Sequence, residues 1–454
     1  MEHYINSGSL GFDRYSTDQK SKVSLYAAAS HTYRDSYYGA GNPYRKDIPE
    51  AEPGMDQTQI DAINDAIKNN LLRINSFGNT SELTYQLGGH YIHSFDQLWF
   101  MPANLTAGIE YTGSSLKDVS GYRTDNIAQD TRTASTFLQN EWKTAMWSFL
   151  IGGRLDKHNL VQQAIFSPRL NMRYNPTENI NIRLTYSGGF RAPQVFDENL
   201  HVDIAGGNPV IRVLSDKLKE ERSRSVSGSV DLYFQTGRSL FNLLMEGFYT
   251  RLENPFTELK RGNEITIENA GSGAMVYGVN LEGRAVFGSR LDLQAGATLQ
   301  QSRYEQTRKW WEPETPEEEI LDQVISTRRM MRTPDSYAYF VATFTPVDRF
   351  SASFSGNYTG SMLVPHEAGF GTKGKERFSQ VNITEKSPTF FELNTKITYT
   401  ANLYYDTQME FSIGVQNIFD AYQKDFDTGP GRASSYIYGP GMPRTFFAGV
   451  KLIL

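Results

Sequence analysis

The sequence predicts an all-β fold: a transmembrane, antiparallel β-barrel whose strands run up and down in chain order. The first observation is the alternation at the end of the chain. From Thr445 onward one face of a predicted strand is apolar and the other is mostly polar or small; the apolar face holds Phe446, Ala448, Val450, Leu452 and Leu454. Successive side chains of a strand point to opposite sides. Such a strand suits lipid on one face and water on the other.

The second observation is that the links between alternating segments come in two kinds. Short turns are predicted at 95–98, 143–146, 175–179, 235–239, 288–290 and 345–349. Long polar stretches lie at 34–79, 113–131, 191–220, 253–273, 304–334, 361–387 and 419–443. The two kinds alternate, except that the link at 157–163 is short where a long one is due. A membrane barrel with short periplasmic turns and long extracellular loops has this pattern. A two-sheet sandwich explains the alternation within strands but not that of the links.

The third observation concerns aromatic residues, which make up 13% of the chain. They cluster beside the predicted short turns, at Trp99, Trp142, Trp147, Tyr174, Phe234, Phe287, Phe344 and Tyr399. Aromatic side chains favour the boundary between lipid and water. These residues therefore predict a girdle at the short-turn end of the barrel.

Seventeen strands are predicted, near 7–15, 21–33, 80–94, 98–112, 132–142, 147–156, 164–174, 179–190, 221–234, 239–252, 274–287, 290–303, 335–345, 349–360, 389–400, 407–418 and 444–454. Bacterial single-chain barrels have an even number of strands. An odd count predicts that the first and last strands run in the same direction and that both edges are unpaired. Residues 56–68 carry Ile60, Ile63 and Ile67 at helical spacing and predict a short helix, with Asp56 or Thr58 as its cap.

Composition excludes several classes of function. The 454 residues carry a net charge of −6 and no Cys, so neither a nucleic-acid partner nor a disulfide framework is expected. No run of 18 apolar residues predicts a transmembrane helix, and the start of the chain does not resemble a signal peptide. The seven His residues are scattered, and His90 and His93 fall on opposite faces of one strand. We therefore predict no catalytic residues, no metal site and no cofactor.

The polar face of the predicted strands carries a row of charges. Placing an Arg or Lys against lipid costs ~2–4 kcal/mol at the midplane, so this face is assigned to the lumen. The predicted lumen-lining residues are Glu110, Arg154, Arg173, Asp231, Glu282, Arg284, Asp292, Lys396 and Lys451. They form either a solvated wall or part of a substrate path.

Aromatic and basic residues in the long loops are candidates for ligand binding, because Arg and aromatic planes suit anionic or ring-bearing molecules. The candidates are Arg191, Trp310, Trp311, Tyr436 and Tyr438. The alternative is that these side chains pack one loop against another. The acidic run at 312–319 is interpreted as a solvated loop tip rather than a metal site.

Four motifs, in order along the chain, resemble the C-terminal part of TonB-dependent outer-membrane receptors. They are the segment 187–199 with its Phe-Arg-Ala-Pro sequence, the stretch 218–223, the sequence Val415-Gln-Asn-Ile-Phe-Asp420, and the run 439–445. In the second motif Glu220 stands where the family has proline, and Leu454 replaces the terminal aromatic of many outer-membrane barrels. The chain most resembles siderophore and cobalamin-type receptors of Bacteroidetes.

This resemblance implies an outer-membrane barrel for TonB-coupled uptake of a scarce ligand, most often a ferric siderophore. The family barrel has 22 strands and a plug, so residues 1–454 would be one domain, the C-terminal portion of a barrel without its plug. The expected partners are outer-membrane lipid, an extracellular ligand (ferric siderophore or cobalamin), and the TonB complex only through the missing plug. Transport by this part alone is not expected. The alternatives are a cobalamin or glycan receptor, a passive porin-like channel, and a soluble carbohydrate-binding β-protein or enzyme.

Overall fold

A single large antiparallel sheet dominates the structure. The computed structural model describes residues 2–37, 56–61, 63–64, 76–121, 126–195, 200, 203–205, 208–261, 264–311, 326–366, 383–403, 407–426 and 436–453. Within these residues, seventeen long strands form the barrel wall, and a short strand, β17 (Ser326–Arg329), adds to its rim. Every wall strand pairs antiparallel with the next wall strand along the chain. The predicted up-and-down order is confirmed.

The wall strands, numbered in chain order with all other strands, are β1 (Glu2–Tyr15), β2 (Ser21–Tyr37), β3 (Phe77–Leu98), β4 (Met101–Ser120), β5 (Ile127–Lys143), β6 (Trp147–His158), β7 (Ile165–Thr177), β8 (Ile180–Arg191), β11 (Glu221–Thr236), β12 (Ser239–Glu253), β15 (Ala274–Phe287), β16 (Leu291–Lys309), β18 (Ser336–Val347), β19 (Phe350–Thr359), β22 (Phe390–Asn402), β23 (Gln408–Gln416) and β24 (Thr445–Ile453). All seventeen correspond to predicted strands. Several extend further toward the long loops than the alternation indicates; β4, for example, continues to Ser120 rather than ending near 112.

The pairing register divides the wall into two faces. Opposite residues in an antiparallel pair project to the same side. Following the register from β4 to β24 places Ile109, Leu299, Ile413 and Val450 on one face, where each is exposed. This apolar face is the one that suits lipid. The other face carries most of the charges between the two ends of the wall, and it is called the charged face below.

Several glycines of the wall lie directly under aromatic rings of the neighbouring strand. A Cβ added to Gly108 would come within 2.3 Å of the Phe137 ring, and one added to Gly296 within 2.5 Å of the Tyr339 ring. Both pairs are directly opposite in the register. The same arrangement recurs at Gly88 with Tyr26, Gly113 with Tyr85, Gly356 with Phe340 and Gly414 with Phe447. The rings cover backbone that has no side chain of its own, which helps to fix the register.

Aromatic side chains collect at the short-turn end of the wall. Trp99 stacks on Trp142 with ring centroids 5.3 Å apart, and Trp147 stacks on Tyr174 at 4.2 Å. The indole N–H of Trp142 donates to the carbonyl of Leu98 at 3.0 Å. Contacts between neighbouring strands therefore link the predicted girdle residues at this end.

Two smaller sheets lie at the long-loop end, where the sequence predicts only polar links. One joins β13 (Phe256–Arg261), β14 (Glu264–Asn269), β10 (Asn208–Leu214) and β9 (Asp203–Ala205), in that order. The other is the hairpin of β20 (Leu363–His366) and β21 (Ile383–Lys386). The prediction of these links as loops without strands is wrong, because strands of only three to seven residues leave no long alternating pattern.

Among the remaining described residues a helical segment begins at Asp56, and no plug domain lies among them. In the segment from Asp56, the Asp56 carboxylate accepts from the Gln59 amide at 2.9 Å and the Gln59 side chain accepts from the Asp56 amide at 3.0 Å. This reciprocal pair is a capping box, so Asp56 and not Thr58 caps the helix; the rest of the predicted helix lies outside the described residues. No helix among the described residues is long and apolar enough to cross a bilayer.

The two edges of the wall have no partner strand within the described residues. There, β1 pairs only with β2, and β24 pairs only with β23. All fourteen residues of β1 are exposed. Because seventeen strands alternate in direction, β1 and β24 run the same way, as the sequence predicts.

Candidate ligand-binding site

Two cavities meet at the long-loop end of the wall. The first, here called the loop cavity, has a volume of about 390 Å³ and is enclosed by β10, β13, β14, β17, the end of β16 and residues 330–333. The second, the lumen cavity, has a volume of about 810 Å³ and is lined by the charged-face side of β1 to β6 together with residues 190–194. Arg191 and Gln194 line both cavities and separate them.

The loop cavity is strongly basic. Among its lining residues within the described chain, seven carry a positive charge and Glu258 is the one carboxylate. The cations are Arg191, Arg212, Lys260, Arg308, Lys309, Arg329 and Arg332. Glu258 lies 3.5 Å from Arg212, and two cations pair with carboxylates outside the lining, Arg308 with Glu268 at 3.2 Å and Arg329 with Asp335 at 3.1 Å. The excess of positive charge favours an anionic occupant.

Aromatic and unsatisfied polar groups accompany this charge. Trp310, Phe256 and Tyr304 line the cavity. Trp310 is 8% exposed, and within the described residues neither its indole N–H nor the Nε of Arg308 has a hydrogen-bond partner. Buried donors without partners cost free energy. An acceptor group brought within reach of them would recover part of that cost.

The partition between the cavities is held from both sides. The amide of Leu160 donates to Nδ1 of His158 at 3.1 Å, so Nδ1 carries no proton, and Nε2 donates to the side-chain oxygen of Gln194 at 3.1 Å. The Val195 amide donates to Gln129 at 2.9 Å. On the opposite side, the Arg191 guanidinium lies over the Phe256 ring at 5.3 Å. The segment Arg191–Gln194 is therefore fastened to β6 and β5 and reaches the small sheet above the wall.

The lumen cavity has a different surface. Its wall residues are mostly small and hydroxylated, including Ser7, Ser9, Ser30, Thr84, Thr112, Ser114, Thr131 and Thr133. Short hydroxyl side chains donate and accept hydrogen bonds in any orientation and leave space in the lumen. This surface suits a molecule that passes or packs against it without strong charge recognition.

The structure brings together some of the predicted ligand residues but not others. Arg191 and Trp310 both line the loop cavity. Trp311 is 5% exposed and packs with Trp310 and Met331 behind that cavity. Tyr436 and Tyr438 lie in a separate buried cluster with Val364 and Phe390. The assignment of all five residues to ligand binding stays a prediction. For Tyr436 and Tyr438 the structure shows packing of one loop against another.

The tyrosine cluster is a compact polar network. The Tyr436 ring stacks on His366 with centroids 3.9 Å apart, and its hydroxyl donates to Glu385 at 3.1 Å. His366 contacts the same carboxylate at 2.6 Å. Burial, with the nearby carboxylates of Glu385 and Asp425, raises the pKa of the Tyr436 hydroxyl, which therefore stays protonated and donates. The network joins the β20–β21 hairpin to the segment before β24.

The nine predicted lumen-lining residues all fall on the charged face of the wall. Arg154 pairs there with Glu110 and Asp156, at 2.7 Å each. Arg284 pairs with Asp292 at 2.7 Å. Much of the charge of this face is thus neutralised within the wall. Among the described residues, no three His, Asp or Glu side chains converge to hold a metal ion.

Sequence reasoning missed most of the basic lining. Arg212, Lys260 and Arg308 come from three separate segments, and Arg329 and Arg332 come from a fourth; the small sheet and β17 bring them together. The one available signal was the density of cations between Arg303 and Arg332, on both sides of Trp310 and Trp311.

A one-sheet membrane-type barrel with a basic cavity among its long loops defines a class: barrel proteins that can bind anionic molecules at one end. The family model described as "TonB dependent receptor-like, beta-barrel" matches residues 3–418. The chain therefore belongs to the family of TonB-dependent receptor β-barrels, whose members are outer-membrane receptors and transporters. The search of curated proteins found no match.

Solved structures show the same fold at low sequence identity. The siderophore receptor PirA from Acinetobacter baumannii matches with a TM-score of 0.65 and 14% identity, over 99% of this chain and 62% of that one. A mutant of the ferric enterobactin receptor PfeA from Pseudomonas aeruginosa gives 0.62 and 14%, over 99% and 61%. The ferric-catecholate import receptor Fiu from E. coli K12 gives 0.61 and 15%, over 99% and 64%. The chain thus spans less than two thirds of the length of these receptors.

Proposed function

We propose that this chain is the barrel portion of an outer-membrane receptor for TonB-coupled uptake of an anionic ferric siderophore. The ligand binds in the loop cavity, where Arg191 and Trp310 are its first contacts. Family membership supports uptake across the outer membrane. The names of the similar structures, which include siderophore and ferric-catecholate receptors, support the choice of ligand.

The observation that carries the proposal is the composition of the loop cavity. Seven cations and one carboxylate line it, together with Trp310, Phe256 and Tyr304. Guanidinium groups bind anionic oxygens in a bidentate manner and also stack on flat rings. A chelate of catecholate type offers both features, because it is negatively charged and bears aromatic rings. A neutral glycan would offer neither.

The partition gives the ligand a route. A molecule bound in the loop cavity contacts Arg191 and Gln194, which also border the lumen cavity. Movement of this segment would connect the two cavities. In the whole receptor, we propose, TonB acts through a plug outside this chain, and residues 1–454 are the C-terminal part of the barrel. The shorter length relative to the similar receptors and the two unpaired edges support this division.

The test measures the affinity of the purified chain for its ligand in detergent. Binding is monitored by the quenching of tryptophan fluorescence, to which Trp310 and Trp311 contribute. The probes are a ferric tris-catecholate, a ferric hydroxamate and cobalamin. The double variant Arg191→Gln with Arg308→Gln should weaken catecholate binding at least tenfold, since a hydrogen bond to a charged group contributes about 1.5–3 kcal/mol. Wild-type affinity should also fall with rising salt.

The control is Arg238→Gln with Arg290→Gln, which removes the same charge from exposed turns at the opposite end of the wall. It should bind as wild type does. Unchanged catecholate affinity in the first double variant, or preference of the wild-type chain for cobalamin, would refute the proposed ligand.

A further inference from the structure

Three arginines form a row on the apolar face of the wall, away from both cavities. In the register, Arg224 on β11 is opposite Arg251 on β12. Arg251 is opposite Met275 on β15, and Met275 is opposite Arg303 on β16. The three side chains therefore project to the same side, across four adjacent strands. Arginine on a lipid-exposed face is costly within the hydrocarbon, so its height in the membrane decides its role.

The row lies at the long-loop border of the apolar band. The next positions toward the short turns hold Tyr249 and Tyr277, whose rings stack with centroids 6.4 Å apart. Below them the apolar face continues to Phe241 and Phe287, which meet edge to face at 5.5 Å. Eight residues separate Tyr249 from Phe241, roughly 26 Å of strand at about 3.3 Å per residue. With the usual tilt of about 40°, this rises about 20 Å, and Arg251, two residues beyond Tyr249, lies about 25 Å above Phe241, which is the height of the apolar band of membrane barrels. The arginines therefore lie at the level of lipid headgroups.

Near the arginine row, positive and negative side chains lie at different distances from the apolar band. Glu253 and Glu305 lie two residues beyond Arg251 and Arg303, further from the apolar band. Arg224 contacts Glu253 at 3.3 Å, and Arg251 contacts Glu305 at 2.9 Å. These pairs are exposed, with Arg224 64% and Arg251 50% accessible. Exposed pairs contribute little to stability, so they do not prevent the arginines from binding a stronger anionic partner on the membrane side.

Arg303 is oriented by an aromatic neighbour. Its guanidinium donates to the Tyr277 hydroxyl at 2.7 Å and lies over the Tyr277 ring at 5.5 Å. From the apolar band toward the long loops, the order of side chains on this face is thus tyrosine, arginine and then glutamate. An anion carried by a lipid approaches this surface from the band and meets arginine first. A free anion approaching from water meets glutamate first.

We propose that Arg224, Arg251 and Arg303 bind the phosphate groups of an anionic lipid in the leaflet at the long-loop end. Guanidinium groups bind phosphate in a bidentate manner, and three of them in one row match a headgroup with more than one phosphate. This site faces away from the loop cavity and takes a different ligand. It depends on the membrane location in the proposed function, but not on the siderophore.

The test measures lipid binding to the full purified chain in dodecyl maltoside micelles by native mass spectrometry. The probes are bisphosphorylated lipid A, the same lipid with its phosphates removed, and inorganic phosphate as a competitor. Wild type should bind the bisphosphorylated lipid at least tenfold more tightly than the dephosphorylated one. The triple variant R224Q/R251Q/R303Q should lose this preference. The control R238Q/R290Q/R349Q removes the same charge from three short turns and should keep it.

Equal binding of both lipids by wild type, or an unchanged preference in the arginine triple, would overturn the proposal. Displacement of the lipid by inorganic phosphate at equal concentration would overturn it too, because it would indicate a site for free anions. The triple R224K/R251K/R303K keeps the charge without the bidentate geometry, and it should give an intermediate preference even if the glutamine triple folds poorly. Ferric-chelate affinity should be unchanged in every arginine-row variant. Failure of chelate binding in wild type would therefore count against the proposed function alone.

Discussion

At the residue scale, Tyr436 is the clearest case of an aromatic side chain used for structure. It is 2% exposed, stacks on His366 and donates to Glu385. Gln423, 1% exposed, accepts from the Tyr438 amide and donates to the Tyr436 carbonyl. The bond from Tyr436 to Glu385 crosses between two long loops, whereas the Gln423 bonds hold one loop together. The cluster therefore connects two long loops, 361–387 and 419–443.

We expect Tyr436→Phe to destabilise the chain by about 1–3 kcal/mol. The ring and its stacking on His366 remain, but Glu385 loses a donor while partly buried. The measurement is urea unfolding in detergent, with Tyr399→Phe, on the exposed apolar face, as the control that should change little. A wild-type stability accompanied by weaker ferric-chelate binding would show instead that the Tyr436 hydroxyl contacts ligand.

Individual site residues were only partly predictable. Arg191 and Trp310 stand out in the sequence because they are a cation and an aromatic in long loops, and the structure brings both to one cavity. Tyr436 and Tyr438 have the same signature, yet the Tyr436 hydroxyl bonds to Glu385 in another long loop, and the Tyr438 hydroxyl bonds to Asp425 earlier in its own loop. Composition reveals which side chains can bind a ring or an anion. It does not reveal which of them a neighbouring loop has already occupied.

At the scale of elements, the wall strands were predictable and the small loop-end strands were not. A wall strand carries apolar and polar residues in alternation over nine or more residues, as β24 does. In contrast, β9 has three residues and β20 has four. β10 pairs in parallel with β14, some fifty residues later in the chain. A pairing of this kind is fixed by tertiary contacts rather than by local pattern.

The apolar face of β15 and β16 should show a gradient of sensitivity to charge. Leu281 lies midway between Tyr277 and Phe287, and Leu293 lies near the short-turn girdle. Leu281→Arg should therefore destabilise the barrel by ~2–4 kcal/mol, and Leu293→Arg by less, because the cost falls toward the interface. Unfolding from phospholipid vesicles by urea measures both.

The control for this gradient is Asn280→Arg on the charged face, where Glu246 is already a partner at 3.0 Å. Its effect should be the smallest of the three. Equal effects of Leu281→Arg and Asn280→Arg would contradict the assignment of the two faces.

At the scale of the whole molecule, the two edges of the wall dominate. β1 exposes all its residues, and β24 carries exposed Phe446, Val450 and Leu452 beside its unpaired edge. An unpaired edge presents rows of N–H and C=O groups, each of which costs several kcal/mol in hydrocarbon. These groups are a template for pairing with another chain.

We therefore expect the purified 454-residue chain to associate through β1 and β24. Sedimentation in detergent should show dimers or larger species whose proportion rises with concentration. Cross-linking between cysteines introduced at Gly8 and Ala448, which both lie on the apolar face, should then link different molecules, and the absence of native Cys makes this readout clean. A monodisperse monomer that resists heating would mean that the wall closes on itself.

The rings that cover glycines in the wall have a consequence for how this sequence can change. At Gly108, Gly296 and their counterparts, the space that a methyl group would need is already filled by an aromatic ring of the next strand. The glycine cannot be replaced by a larger residue unless the aromatic residue is first replaced by a smaller one. A smaller residue in place of the ring alone would leave the glycine backbone uncovered. We therefore expect the two residues of each pair to change together in evolution, although they are encoded at separate places in the gene. Six such pairs are spread from β2 to β24. Because each pair joins two neighbouring strands, the same strands must stay neighbours as the sequence changes.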